Sequence, residues 1–401
     1  MPFLPPPLDS VVTLNTCSLG LYEYYRDLQR GTPVFRNEDG VVYLARHEDC
    51  LRLLSDPAFS RTAPGSDLPF SAGEQAPGVL ESMIGRWMVF MDPPDHGRVR
   101  KAFAAPFRSA AVKSLESLVR RQVRDLLACW PADGRLEVVD DFAFALPVRV
   151  IALVLGVPLA DIPRIHAWAL GLTTALDSGT PEALGEGEGV ARELAEYFRG
   201  LIARREQLPD DCLINRVAAT AGANLSAEEF LCGCMFLLWA GHETTKNWLA
   251  SGLLLLAQHP RQLARLQSQP ELLDGALEEM LRVESPLQKL SRWSTVDTEF
   301  AGYPVPAGTL VTALIGAAHR DPAVFTDPDC FDIARRNNRH MAFGAGIHHC
   351  LGVWLARLEA RIAFGELLPR IRHLEVLDYR WRDLSAFRSL ESLEMKVELK
   401  C

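Results

Sequence analysis

The stretch "FGAGIHHCLG", Phe343 to Gly352, places one cysteine, Cys350, among three glycines and two histidines. A thiolate there is a nucleophile or a metal ligand. The following residues, "LGVWLARLEARIAFGELL", set Leu351, Leu355, Leu358 and Ile362 on one helix face. Cys350 is therefore expected at a helix N-terminus, where free N–H groups and the dipole lower a thiol pKa. Gly344, Gly346 and Gly352 are expected to let the backbone turn tightly against something flat. A nucleophile needs a histidine base and an oxyanion hole, and His348 and His349 are too near in sequence to settle that. Structural zinc needs further ligands at recognised spacing, which are absent. The glycine spacing does not fit a dinucleotide loop either. What remains is axial ligation of haem iron.

A second chemical signal is "AGHETT", Ala240 to Thr245, inside a long apolar segment. Gly241 and Thr244 are poor helix-interior residues. The Thr244 hydroxyl is expected to bond back to the Ala240 carbonyl and open the helix there.

The elements that must carry these residues are mainly helical. "SAEEFLCGCMFLLWAGHETTKNWLASGLLLLAQHP" begins with Ser226 and Glu229 at capping-box spacing and stops at Pro260. That is roughly 33 residues, or about 50 Å of helix. "VVYLARH" after the turn signal "NEDG" reads as an edge hairpin, "EFAGYPVPAGTLVTALI" (299–315) as two short strands, and "LEMKVELK" as another. "GEGEGVA" (185–191) reads as a loose connection. No β-α-β rhythm appears, which argues against a doubly wound nucleotide fold.

Composition sets the outer bounds. With 401 residues, 48% of them hydrophobic, the chain can bury a large core. A net charge of -9 disfavours nucleic acid as a partner. Nine cysteines without a CxxC pair suggest a reducing, cytoplasmic setting. The opening "MPFLPPPLDS" resembles neither a signal peptide nor an anchor, so no membrane is expected. One run departs from the acidic average: His96 to Lys113 holds Arg98, Arg100, Lys101, Arg108 and Lys113 and no acid.

"FGAGIHHCLG" resembles the haem-binding motif of the cytochrome P450 family, Phe-Gly-x-Gly-x-His-x-Cys-x-Gly, and the resemblance extends over nearly the whole chain. It implies a mainly α cytochrome P450 fold with a small β-rich N-terminal side, as one domain over residues 1–401. It implies haem b, with Cys350 as the proximal iron ligand, Phe343 shielding the sulfur and Gly352 lying against the porphyrin. The family's E-x-x-R pair falls on Glu279 and Arg282, with a structural role. His96, Arg100, Arg292 and His348 match positions that hold the haem propionates. Glu243 and Thr244 match the acid–alcohol pair that delivers protons during oxygen activation.

The implied activity is monooxygenation of a medium to large hydrophobic small molecule by dioxygen. Electrons are expected from a separate ferredoxin-like or flavodoxin-like donor with its reductase, of the bacterial type. Leu237, Ala240, Leu287 and Leu290, with residues 60–90 and 170–179, are expected to line the substrate pocket. A peroxide-driven peroxygenase is disfavoured by the presence of both Glu243 and Thr244. A non-enzymatic haem sensor is disfavoured because it has no use for a proton relay.

Overall fold

The helix Ala227–Gln258 runs through the middle of the molecule for 32 residues, and most of its side chains are buried. Ser226 accepts from the Glu229 N–H while the Glu229 carboxylate accepts from the Ser226 N–H, completing the expected capping box. Such a cap contributes about 1 kcal/mol. The computed structural model describes residues 20–65, 78–178, 180–221 and 224–400.

The helices that position the site are α1 (Asp95–Ala104), α2 (Ala145–Leu155), α3 (Ile162–Ser178), α4 (Pro181–Ala203), α5 (Ala227–Gln258), α6 (Leu273–Val283) and α7 (Val353–Leu367). They pack around α5, and one large apolar cluster takes in residues from all seven. Gly241 has a packing reason to interrupt the apolar face of α5. A Cβ there would sit 2.6 Å from Cγ1 of Ile151 on α2, so glycine lets the two helices approach. The helix is unbroken through this region, and the expected Thr244 bond to the Ala240 carbonyl is not among its hydrogen bonds. Residues 185–191 are also helical, inside α4, rather than a loose connection. The residues Val190–Ala203, among them the buried Ala191, Leu194, Ala195, Phe198 and Leu201, supply the apolar face that carries the glycine-rich start along.

The strands are β1 (Val34–Arg36), β2 (Val42–Leu44), β3 (Phe59–Ser60), β4 (Arg135–Glu137), β5 (Lys289–Ser294), β6 (Thr298–Phe300), β7 (Tyr303–Val305), β8 (Leu310–Leu314), β9 (Ile371–Trp381) and β10 (Leu390–Leu399). One sheet has the order β1-β2-β8-β5-β3, a second has the order β4-β10-β9, and β6-β7 form a hairpin. The first sheet is thus shared between the N-terminal segment and residues 289–314. Its β1–β2 hairpin turns at Gly40, with φ of 83°. Within this hairpin only β1 lies at a sheet edge. β2 pairs in parallel with β8 on its other side, so Val42, Tyr43 and Leu44 are all buried. Residues 299–315 form parts of three strands rather than two, because Ala301 and Gly302 turn β6 sharply back on β7.

Among the described residues no helix is long and apolar enough to cross a membrane. The first nineteen residues, including the proline-rich opening, lie outside the described residues.

Candidate functional site

Between α5 and the loop before α7 lies a cavity of about 1060 Å³. That is at the top of the ~300–1,000 Å³ range of small-molecule pockets, so it suits a large ligand. Cys350, Leu351 and Gly352 line one side, and Ala240, Glu243 and Thr244 line the other.

The Cys350 loop is held by its backbone. Cys350 N–H donates to the Phe343 carbonyl at 2.9 Å, and Gly344 N–H donates to Met341 at 2.8 Å. Gly344 and Gly346 have φ of 70° and 66°, a left-handed conformation that glycine adopts without strain. A Cβ on Gly346 would also meet the Leu54 carbonyl. Gly352 has an ordinary φ of -84° and is the N-cap of α7, so the tight turn does not depend on it.

Two residues therefore separate Cys350 from the first turn of α7. Burial pushes its thiol above the ordinary value; the Gly352 N–H, Arg100 and Arg357 act in the opposite sense without reversing it. The sequence expectation of a lowered thiol pKa is corrected here, because desolvation outweighs one N–H and two cations at the edge. A thiolate at this position calls for a coordinated metal, which deprotonates a thiol outright. Phe343 packs edge-on against Trp248 of α5, with ring centroids 6.2 Å apart, and Arg357 lies over its ring at 4.8 Å.

Three of the four residues expected at the propionates, Arg100, Arg292 and His348, line this cavity, and His96 packs against His348. The His96 and His348 rings have centroids 4.3 Å apart. Arg100, on α1 one turn after His96, donates to the His349 carbonyl at 2.6 Å. Arg292 on β5 donates to the Ser291 carbonyl at 2.9 Å. A fifth cation, Arg61, donates to that same carbonyl at 2.6 Å and also lines the cavity.

The acid facing this group is Asp92, and it is already occupied by Ser60 and the N–H groups of Arg61 and Thr62. Burial and mutual repulsion push His348 down to about 2, and burial pushes Arg292 down to about 10. Nε2 of His96, Nδ1 of His348 and Nε of Arg61 are buried without a partner. Three guanidinium groups and two imidazoles, with three orphaned nitrogens among them, fit a dianionic edge such as that of haem. Sequence reasoning missed Arg61, which sits in "FSRTAP" with no spacing rule to mark it.

Glu279 and Arg282 on α6 are fully buried and paired through two hydrogen bonds of 2.7 and 2.8 Å. Arg282 donates further to the carbonyls of His319, Pro328 and Cys330. Arg335 joins the pair, donating to Glu279 at 2.9 Å. His319, without a role in the sequence, accepts from the Met341 N–H at 2.8 Å. A run of hydrogen bonds thus leads from α6 through residues 319 and 341 to the Cys350 loop.

Leu237, Ala240, Leu287 and Leu290 all line the cavity, as expected. Within residues 60–90 it is Arg61 and Met88 to Phe90 that line it, and residues 66–77 lie outside the described residues. Within 170–179 it is Leu176, whereas Leu170 is exposed and residue 179 is outside the described residues. Trp239 went unnoticed in the sequence. Its ring stacks on Trp87 at 5.2 Å and meets Phe387 edge-on at 6.0 Å. Its Nε1 donates to Thr173 of α3 at 3.0 Å. Asp177 of α3 accepts from the N–H groups of Ser385 and Ala386, which fixes the loop carrying Phe387.

The basic run divides. Arg98 is tied to Asp95 and Glu229, so it is not a free surface cation as its sequence context suggested. Lys101, Arg108 and Lys113 are exposed, as are Ile347 and Trp354 beside the Cys350 loop.

Residues 202–377 match the family model described as Cytochrome P450. The biotin biosynthesis cytochrome P450 of Bacillus subtilis (strain 168) is 36% identical over 384 residues, covering 94% of this chain and 96% of its own. The cytochrome P450 monooxygenase PikC of Streptomyces venezuelae is 35% identical over 408 residues, covering 94% and 95%. Among solved structures, P450BioI in complex with hexadec-9Z-enoic acid ligated acyl carrier protein superposes with a TM-score of 0.88 at 36% identity, covering 94% of this chain and 97% of that one.

Proposed function

The chain belongs to the cytochrome P450 family of haem b monooxygenases, and from that premise we propose that Cys350 is its iron ligand. The observation that carries this reading is the single cavity shared by Cys350, the cationic cluster, and the Glu243–Thr244 pair. We assign the haem propionates to His96, Arg100, Arg292, His348 and Arg61, whose orphaned nitrogens then find acceptors. Phe343 covers the sulfur side, and Glu279 with Arg282 holds the framework behind the loop.

Bound haem supplies the oxidising chemistry, activating dioxygen with two electrons. The chain's own residues do the rest. Thr244, half-buried at the cavity wall, offers a hydroxyl that passes a proton to the reaction centre. Glu243, buried beside it, receives protons from the far side of α5. The apolar wall of Leu237, Ala240, Leu287 and Leu290 excludes water and orients the substrate.

The substrate class this wall supports is a medium to large hydrophobic small molecule, packed against the shelf of Trp239 and Phe387, with Trp87 backing Trp239. Lys101, Arg108 and Lys113, with the exposed Ile347 and Trp354, form a face suited to an acidic ferredoxin-like or flavodoxin-like donor.

The test is turnover of the haem-loaded protein with NADPH and a surrogate ferredoxin–reductase pair, set against hydrogen peroxide alone. Candidate substrates are chosen beforehand by the shift they cause in the ferric haem spectrum. Product formed with the electron donor and not with peroxide supports the reading. Product with peroxide alone would replace it with a peroxygenase.

A further inference from the structure

Lys246 is one helical turn beyond Glu243 on α5, and its Nζ lies 2.7 Å from Oε1 of Glu243. Both side chains are buried, at 9% and 5% exposure. Burying two charges is costly, so a pair kept there has its geometry fixed by the packing around it. Glu243 lines the cavity and Lys246 does not. The ion pair therefore ties the cavity-lining carboxylate to an ammonium that stands off the cavity.

We propose that Lys246 is a positioning residue that keeps Glu243 ionised and retracted between proton deliveries. This rests on the assignment of Glu243 as the proton carrier. A proton then crosses only when the carboxylate leaves Lys246, binds a proton from the solvent side, and swings toward the Thr244 hydroxyl. The other groups facing Glu243 do not replace Lys246. His242, its neighbour on α5, donates from Nδ1 to the Leu238 carbonyl at 2.6 Å and is held down to about 4 by burial, so it is neutral at pH 7. Arg382, following β9, adds a more weakly acting positive charge. Beyond His242, His166 of α3 faces Asp140 at 3.7 Å.

Burial alone pushes the Glu243 carboxyl up, and Lys246 is the first group that brings it below its ordinary value. Without the ammonium the burial effect is left largely unopposed. Removing an opposite charge at this distance raises a carboxyl pKa by about 1–3 units.

The experiment compares ferric wild type with Lys246→Met by infrared difference spectroscopy across pH, each against its own Glu243→Gln variant to isolate this carboxyl. At pH 7 wild type should show the carboxylate stretch. Lys246→Met should pass from the C=O stretch of the neutral acid to the carboxylate stretch at a higher pH than wild type, and Lys246→Arg should restore the wild-type midpoint. In turnover, the pH profile of product per NADPH should move upward in Lys246→Met by the same interval. A Glu243 carboxyl that titrates at the same pH in Lys246→Met as in wild type overturns the proposal. Should that variant not fold, Lys246→Gln, which keeps a hydrogen-bond donor without the charge, gives the same reading. Failure of the underlying relay looks different: Glu243→Gln would then match wild type in product per NADPH at every pH.

Discussion

Replacing Glu279 with Ala should be among the most damaging single changes in the molecule, and the reason lies in what the carboxylate holds. It accepts from Arg282 twice, from Arg335, from the Asn338 amide, and from the Asp332 N–H. Its removal strands a guanidinium with no exposed surface and a second with 9%. Breaking a buried pair by deleting one partner costs about 3–5 kcal/mol. Against a total stability of about 5–15 kcal/mol, that is a third or more for a protein near the middle of the range. Arg335→Met removes a cation but leaves Glu279 its Arg282 partner, so about 1–3 kcal/mol is expected. The assay is urea unfolding followed by far-UV circular dichroism at fixed haem concentration, with haem release to apomyoglobin measured alongside. Glu279→Ala should also release haem faster, because the run through His319 and Met341 reaches the Cys350 loop. If Glu279→Ala shifts the midpoint no more than Arg335→Met, the carboxylate is not the hub and the reasoning fails.

Cys350→Ser should still fold but lose the thiolate-type Soret band on reduction under carbon monoxide; retention of that band would assign the iron to another cysteine. Thr244→Ala should keep haem content and ligand affinity near wild type while most reducing equivalents go to hydrogen peroxide, read as product and peroxide per NADPH. Full coupling in that variant would remove Thr244 from the relay. Trp239→Ala should cost about 3 kcal/mol in stability and admit ligands too large to shift the wild-type haem spectrum; an unchanged size limit would show that the aromatic shelf does not bound the cavity.

What could be read from the sequence was whatever depends on local spacing. Ser226 and Glu229 fix a helix start through contacts three residues apart, and Gly344 and Gly346 mark a loop because their backbone is left-handed. Glu279 and Arg282 share a helix face for the same reason. The parts not legible depend on long-range approach. Arg61 joins Arg292 only because β3 pairs with β5, 230 residues away in sequence. Arg335 reaches Glu279 across a loop, and Trp239 becomes a shelf only once α3 and the residue-387 loop fold over it. The Cys350 thiol was misjudged because a helix N-terminus can be read from sequence, whereas the depth at which it is buried cannot. The glycines of 185–191 misled in the opposite way. Tertiary packing of α4 overrode their weak helix propensity.

Two clusters of buried guanidinium and imidazole groups flank the Cys350 loop, and they differ in how far their donors are met within the chain. Around Glu279, Arg282 and Arg335 spend their donors on a carboxylate and on backbone carbonyls, so that cluster is complete within the chain. Around Ser291, Arg61 and Arg292 share a single carbonyl, and His96 and His348 face each other with a ring nitrogen of each unpartnered. Buried polar groups are otherwise hydrogen-bonded in native proteins, and leaving a charged donor unmet costs more than leaving a neutral one. The first cluster stabilises the fold whether or not haem is bound. The second is destabilising until anionic oxygens enter it. Behind the loop the donors of Arg282 and Arg335 are met within the chain, whereas on the cavity side donors of Arg61, His96 and His348 are left for a ligand to meet, which is the physical argument for placing the haem edge there.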